Sequence, residues 1–183
     1  MLIDKDDATL LVVDVQQKLL PAVLDPQGML ARCRWLVSAA HDVGLPVVFS
    51  EQYPHGLGHT APELLAAAPA ALVVEKLHFS CVAAECLPES LLARNQVVVC
   101  GMETHVCVLQ TVLELLALGK QVFVVADAVS SRGEVNRDYG LQRMRDAGAV
   151  LVTREMVLFE ALRVSGSDVF RAMSKRYLVG EQP

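Results

Sequence analysis

Six short runs of β-branched and aliphatic residues, separated by segments with helical periodicity, constrain the fold of this chain most strongly. Such runs are typical of strands buried on both faces of a parallel sheet, where each crossover connection is usually a helix. The alternation therefore predicts an α/β fold with three layers, in which helices cover both faces of a six-stranded, mostly parallel sheet. The predicted strands cover residues 9–13, 47–49, 71–74, 97–100, 121–126 and 149–152.

Apolar residues at helical spacing fill most of the segments between these runs. The predicted helices cover residues 29–43, 63–67, 104–118, 136–147, 153–162 and 167–177, and a tail continues to Pro183. The chain of 183 residues is long enough for one domain with a substantial core. Because no repeat, linker or low-complexity tract divides it, we expect one domain over residues 1–183.

The composition bounds the partners and the location of the protein. A net charge of -5 without basic clusters argues against nucleic acid or an anionic membrane as a partner. The N-terminus has no signal-peptide pattern and no apolar run reaches the ~20 residues needed to cross a bilayer, which predicts a cytoplasmic protein. The five cysteines form no CxxC pair, so reduced thiols are expected. A hydrophobic content of 53% favours a homo-oligomer, dimer or larger.

The stretch Gln96 to Gly119 combines a predicted strand, a glycine turn and an apolar helix. Thr104 is the expected N-cap of that helix, which places Cys107 in its first turn. Free backbone N–H groups and the helix dipole favour a thiolate there, so Cys107 is a candidate nucleophile. His105 cannot serve it as a base within this helix, because residues two apart face different sides. A small core cysteine remains the alternative.

Charged residues follow several of the predicted strands. Asp14 ends the first strand, Lys76 follows the third, and Asp127 and Arg132 follow the fifth. In an open parallel sheet the site lies beyond the carboxyl ends of the strands, so these residues are candidates for one site. A helix cap for Asp14 and a solvated lysine for Lys76 remain open at this point. No glycine-rich nucleotide-binding motif occurs, and no cofactor is indicated.

The loop over residues 50–60 carries two histidines, His55 and His59. Gly56 and Gly58 disfavour a helix that would present both to one metal ion. A solvated or substrate-facing loop is therefore favoured over a metal site that would include these histidines and Glu51.

Four motifs in this order give the chain a family resemblance. They are LVVDVQ at residues 11–16, Glu75-Lys76 with Phe79-Ser80, GMETHVCV at residues 101–108, and DAVSSR at residues 127–132. Over residues 9–162 the chain resembles the isochorismatase-like cysteine hydrolases, which include nicotinamidases, carbamoylsarcosine amidohydrolases and members without an assigned substrate. The resemblance implies the strand order 3-2-1-4-5-6 and a catalytic triad of Asp14, Lys76 and Cys107. It also implies a cis peptide between Met102 and Glu103, which turns the Glu103 and Cys107 amides toward an oxyanion.

The resemblance also bears on the substrate. Members that open isochorismate lack the cysteine, so its presence here favours acyl chemistry. Nicotinamidases carry an Asp-x-His zinc motif after strand two, and Tyr53 stands where its histidine would be, which disfavours zinc and nicotinamide. The loop instead resembles the branch of isochorismatase-domain proteins whose substrate is unassigned. The candidate substrate contacts are Gln16, Tyr53, His78, Phe79, Thr104 and Arg132.

The expected function is that of a hydrolase without cofactor or metal. Cys107 would cleave a C–N bond of a small amide, ureide or carbamoyl compound through a thioester, with Asp14 as the base. The alternatives are a nicotinamidase-like or isochorismatase-like hydrolase, a binding protein without turnover, and a redox-responsive protein in which Cys107 is oxidised.

Overall fold

The computed structural model describes residues 1–179, and the predicted tail from residue 180 to Pro183 lies outside the described residues. Six strands form one sheet in the order 3-2-1-4-5-6, and every neighbouring pair is parallel. The strands are β1 (Ala8–Val13), β2 (Val47–Gln52), β3 (Leu72–Lys76), β4 (Gln96–Met102), β5 (Gln121–Ser130) and β6 (Val150–Val152). The predicted α/β class and the strand order implied by the resemblance are confirmed.

Helices cover both faces of the sheet. They are α1 (Pro26–Val43), α2 (Pro54–Leu57), α3 (Pro62–Ala67), α4 (Glu89–Leu92), α5 (Leu109–Ala117), α6 (Glu134–Asp146), α7 (Arg154–Leu162) and α8 (Asp168–Met173). One apolar core joins the sheet to α1, α3, α7 and α8, and a second joins its other face to α4, α5 and α6. Shorter turns occupy Leu20–Ala22, Thr104–Val108 and Ser174–Leu178. Among the described helices, none is long and apolar enough to cross a bilayer.

Several elements extend beyond their predicted ends. Helix α1 begins at Pro26, where proline suits the first turn and the Asp25 carboxylate accepts the Gly28 amide. Strand β5 continues to Ser130, so the expectation that Asp127 lies at the site is wrong. The Asp127 carboxylate instead accepts the Arg154 amide at 2.9 Å and lies 3.5 Å from the Arg154 guanidinium, which ties β5 to α7.

The two central strands, β1 and β4, approach each other most closely at their carboxyl ends. Gly101 is paired with Val13 and has a φ of +116°, and a Cβ built on it would lie 2.1 Å from the Val13 carbonyl oxygen. Only glycine fits this position, because the contact is with backbone that cannot rotate away. The close approach places Asp14, which follows β1, next to the turn that follows β4.

Strand β3 forms one edge of the sheet and is the least covered strand. Leu72 is 52% exposed and Val73 is 43% exposed, which leaves apolar side chains on both faces of the strand open. Exposed apolar groups on an edge strand are typical of a surface that another chain covers.

Candidate active site

The side chains of Asp14, Lys76 and Cys107 meet at the carboxyl edge of the sheet. Asp14 follows β1 in a left-handed conformation with φ of 51°, Lys76 is the last residue of β3, and Cys107 lies in the turn after β4. Lys76 Nζ donates to Asp14 Oδ2 at 2.7 Å, and both side chains are fully buried. Cys107 is 5% exposed, and its thiol lies close enough to Asp14 and Lys76 for both charges to affect its pKa.

The protonation states of this cluster follow from burial and from the neighbouring charges. Burial raises the pKa of Asp14, although Lys76 and a 2.7 Å hydrogen bond from Ser50 Oγ oppose the rise. Burial would lower the pKa of Lys76, but the nearby Asp14 and Cys107 outweigh it, so the net shift is upward. The cluster therefore holds a carboxylate that accepts protons more readily than usual beside a stable cation.

The surroundings of Cys107 oppose the thiolate that its position near the helix N-terminus favours. Burial, followed by the Asp14 charge, raises the pKa of the Cys107 thiol to about 12, and the opposing effect of Lys76 is smaller. The thiol with a lowered pKa is the half-buried Cys86, which is hydrogen-bonded to Cys81. Cys107 is thus protonated at rest, and it needs a base to become a nucleophile.

Gln52, the last residue of β2, belongs to the cluster but is not among the residues that the sequence indicated. Its side-chain oxygen Oε1 lies 2.7 Å from Lys76 Nζ and 3.9 Å from Cys107 Sγ. The signal that could have found it is its register, because Gln52 pairs directly with Lys76 across β2 and β3.

The turn that carries the candidate nucleophile Cys107, Thr104–Val108, is called the nucleophile turn; it is π-helical and leads into α5. The prediction that Thr104 caps the helix is wrong, because its Oγ1 is buried without a hydrogen-bond partner in the structure. Its contact with substrate stays a prediction. The peptide between Met102 and Glu103 is cis. His105 Nδ1 lies 3.0 Å from Ser131 Oγ, which directs the ring toward Ser131.

Two further residues hold this turn. The Glu103 carboxylate accepts from Arg132 Nε at 2.9 Å and from the Arg132 amide at 3.2 Å. Arg132, a predicted substrate contact, is 62% exposed in its side chain and can reach solvent beside the turn. Helix α6 packs against the turn at Gly140, where an added Cβ would lie 3.2 Å from the backbone of Thr104 and His105.

The other predicted substrate contacts divide into one buried residue and three exposed ones. Gln16 is fully buried, and its contact with substrate stays a prediction. Its side-chain amide accepts from the Gln52 N–H at 2.7 Å and donates to the Gln52 carbonyl at 3.0 Å. These two bonds continue the strand pairing of the sheet. Tyr53 and His78 line an open cavity of about 520 Å³ that also reaches Lys76. Phe79 is exposed close by in sequence.

The candidate metal ligands Glu51, His55 and His59 lie in and after β2, and of the three only the Glu51 carboxylate is buried. Glu51 accepts from the Thr60 amide at 2.7 Å and from Thr60 Oγ1 at 2.8 Å, and it lies 2.9 Å from His59 Nδ1. Within residues 1–179, no three His, Cys, Asp or Glu side chains converge as metal ligands. His55 is exposed on α2 and is part of the cavity lining.

The fold and the site define a parallel α/β protein with a cysteine-centred polar cluster at the carboxyl edge of its sheet. Residues 8–156 match the isochorismatase domain family, and the chain belongs to this family of hydrolases. The resemblance noted from the motifs is thereby confirmed.

Relatives and solved structures agree with this assignment. Isochorismatase domain-containing protein 2A of Mus musculus is 37% identical over 173 residues, which cover 93% of this chain and 82% of that protein. A structure described as MAR1 ribonuclease from Caenorhabditis elegans aligns with a TM-score of 0.91 and 34% identity, covering 100% of this chain and 95% of that chain. The YcaC gene product of Escherichia coli, described as an octameric hydrolase of unknown specificity, aligns with a TM-score of 0.90 and 29% identity over 97% and 91% of the two chains.

Proposed function

We propose that this protein is a cysteine hydrolase that cleaves the C–N bond of a small amide, ureide or carbamoyl compound through a thioester. The observation that carries the proposal is the buried Asp14–Lys76 pair, 2.7 Å apart, beside the thiol of Cys107. A buried thiol with a pKa of about 12 cannot attack until a base takes its proton. Asp14, whose pKa burial raises, is that base.

In the first half-reaction Asp14 takes the Cys107 proton, and the thiolate attacks the carbonyl carbon of the substrate. The C–S bond forms as the carbonyl π electrons move to oxygen. Asp14 then returns the proton to the substrate nitrogen, the C–N bond breaks, and an amine leaves from a thioester on Cys107. In the second half-reaction Asp14 takes a proton from water, hydroxide attacks the thioester, and Cys107 regains its proton as the acid or carbamate is released.

Lys76 and backbone amides stabilise the charges that form in these steps. The Lys76 ammonium offsets the thiolate, because it neighbours both the acceptor and the donor of the proton. The amides of Glu103 and Cys107 are proposed to hold the oxyanion, where one donor contributes about 3 kcal/mol in comparable sites. The Glu103 side chain is engaged by Arg132, which fixes the residue whose amide would be used.

The surroundings favour a small substrate. The cavity beside Lys76 measures about 520 Å³ and is lined by Tyr53, His55, His78 and Leu77, among others. These side chains combine aromatic and apolar surface with the Tyr53 hydroxyl and the two imidazoles, which suits a compact compound that can form hydrogen bonds. We also propose a homo-oligomer, since Leu72 and Val73 on the edge strand and Phe79 near the cavity are exposed.

The proposal is tested by turnover on a panel of small amides, ureides and carbamoyl compounds, with ammonia or amine release as the readout. Cys107→Ala is expected to abolish turnover, and Asp14→Asn to reduce it by ~10²–10⁴-fold. Cys33→Ala, which removes a buried thiol packed on the opposite face of the sheet, is the matched control and should retain activity.

An assay with RNA separates the proposal from the ribonuclease activity named for the Caenorhabditis elegans structure. Purified protein is incubated with single-stranded RNA, and cleavage is compared between the wild type and Cys107→Ala. RNA cleavage that Cys107→Ala abolishes, without turnover of any small amide, would contradict the proposed substrate class.

A further inference from the structure

The side chain of Gln52 bridges two members of the cluster. Its oxygen Oε1 accepts from Lys76 Nζ at 2.7 Å and lies 3.9 Å from Cys107 Sγ. Lys76 thus has two close oxygen partners, Asp14 Oδ2 and Gln52 Oε1, each at 2.7 Å. An ammonium group has three N–H donors, so one remains for Cys107.

The orientation of the Gln52 amide is fixed by the chemistry of its neighbours. The Lys76 ammonium can only donate, so the atom that faces it must be the oxygen. The nitrogen Nε2 lies 2.8 Å from the Leu77 carbonyl oxygen, which can only accept. The Gln52 main chain is held as well, because Gln16 accepts its amide at 2.7 Å and donates to its carbonyl at 3.0 Å.

We propose that Gln52 is a positioning residue, which holds the Lys76 ammonium between Asp14 and Cys107 so that its remaining N–H serves the thiolate. Without this acceptor the flexible lysine side chain would be anchored by Asp14 alone. Its Nζ would then be free to move away from Cys107. This role contributes to catalysis only if the proposed hydrolase function, with Cys107 as nucleophile, is correct.

The neutrality of Gln52 is part of the role. A carboxylate in the same place would give the ammonium a second anionic partner and would face the Cys107 sulfur with a negative charge. Both effects disfavour a thiolate on Cys107, which burial and the charge of Asp14 already disfavour. An amide supplies the same hydrogen bond without that charge.

The test uses Gln52→Met, which keeps the length but removes the acceptor, and Gln52→Glu, which keeps the shape and adds a charge. The readout is the rate of iodoacetamide alkylation of Cys107 between pH 7 and pH 10, followed by peptide mapping so that Cys86 is counted separately. Gln110→Met, an exposed glutamine on the helix that follows the nucleophile turn, is the matched control.

We expect Cys107 in Gln52→Met to be alkylated about tenfold more slowly than in the wild type at each pH, because the Lys76 ammonium loses one hydrogen bond. Gln52→Glu should need a pH at least about one unit higher for the same rate, equivalent to a tenfold change at fixed pH. Gln110→Met should follow the wild-type profile. Thermal unfolding of each variant checks that the fold is retained, and Gln52→Glu remains available if Gln52→Met fails to fold.

Rates for Gln52→Met and Gln52→Glu that equal or exceed the wild-type rates would overturn the proposal, and Gln52 would then only terminate β2. Because alkylation needs no substrate, this outcome is distinct from failure of the proposed function. A wild type that turns over no amide, while both variants still slow alkylation, would leave Gln52 as the residue that positions Lys76 and would reject the hydrolase.

Discussion

Removal of the Lys76 charge should destabilise the protein in a pH-dependent way. In Lys76→Met, a residue of similar length leaves the Asp14 carboxylate fully buried without its 2.7 Å cationic partner. Loss of one member of a buried ion pair typically costs about 3–5 kcal/mol. For a chain of this size, about 2–4 °C of Tm corresponds to each kcal/mol, so Tm should fall by roughly 6–20 °C at pH 8.

The loss has an upper limit, because the orphaned carboxylate can take up a proton. Protonation of a carboxyl group with an ordinary pKa of about 3.9 costs about 1.4 kcal/mol per pH unit above that value, or about 5.6 kcal/mol at pH 8 and about 1.5 kcal/mol at pH 5. Without Lys76, burial raises the pKa of Asp14 further. A raised folded-state pKa contributes stability below the unfolded value, and this is lost as pH rises. The variant should therefore lose less stability at pH 5 than at pH 8.

The assay is thermal unfolding of the wild type and Lys76→Met at pH 5 and pH 8, at one protein concentration. Asp14→Asn with Lys76→Met should recover most of the loss at pH 8, because no buried charge remains, and asparagine tolerates the left-handed backbone of Asp14. Lys5→Met, which breaks an exposed pair with Asp6, should leave Tm unchanged. An equal loss at both pH values, or a double variant no more stable than the single one, would refute the reasoning.

Three further predictions concern the metal question, the nucleophile turn and the assembly. Turnover should be unchanged after exhaustive dialysis against EDTA, since the Glu51 carboxylate is bonded to Thr60 and His59; loss of activity that zinc restores would contradict this. Gly140→Ala should slow turnover about tenfold, because its Cβ would press on the backbone of the nucleophile turn at 3.2 Å. Asp138→Ala, an exposed change on the same helix, should not slow turnover. Light scattering at micromolar concentration should give a multiple of 19.9 kDa, and a monomer mass would refute the role proposed for the exposed β3 surface.

The sequence predicted the sheet and the placement of the charged residues, because both depend on local patterns. Apolar runs mark the parallel strands, and Asp14 and Lys76 stand where β1 and β3 end. The apolar pattern predicts a strand that ends at Asp127, but β5 continues to Ser130, and the Asp127 carboxylate bonds Arg154. The length of β5 depends on tertiary partners that local propensity does not contain.

The roles of individual polar residues depended on contacts across the sheet. Sequence alone does not show that the amide of Gln16 bonds the main chain of a residue 36 positions away. Gln52 was missed because only the pairing of β2 with β3 brings it to Lys76. The helix position of Cys107 favours a thiolate, whereas burial and the Asp14 charge raise the pKa of its thiol in the folded protein.

The contact between Gly101 and Val13 shows which positions of this protein tolerate substitution and which do not. Any side chain at position 101 would force β4 away from β1 and would pull the nucleophile turn away from Asp14. The loops that carry Tyr53 and His78 have no such restriction, since both residues are exposed at the cavity. Mutant libraries aimed at new substrates should therefore diversify these two loops and leave position 101 unchanged. The substrate range could then change while the geometry of Asp14, Lys76 and Cys107 is kept.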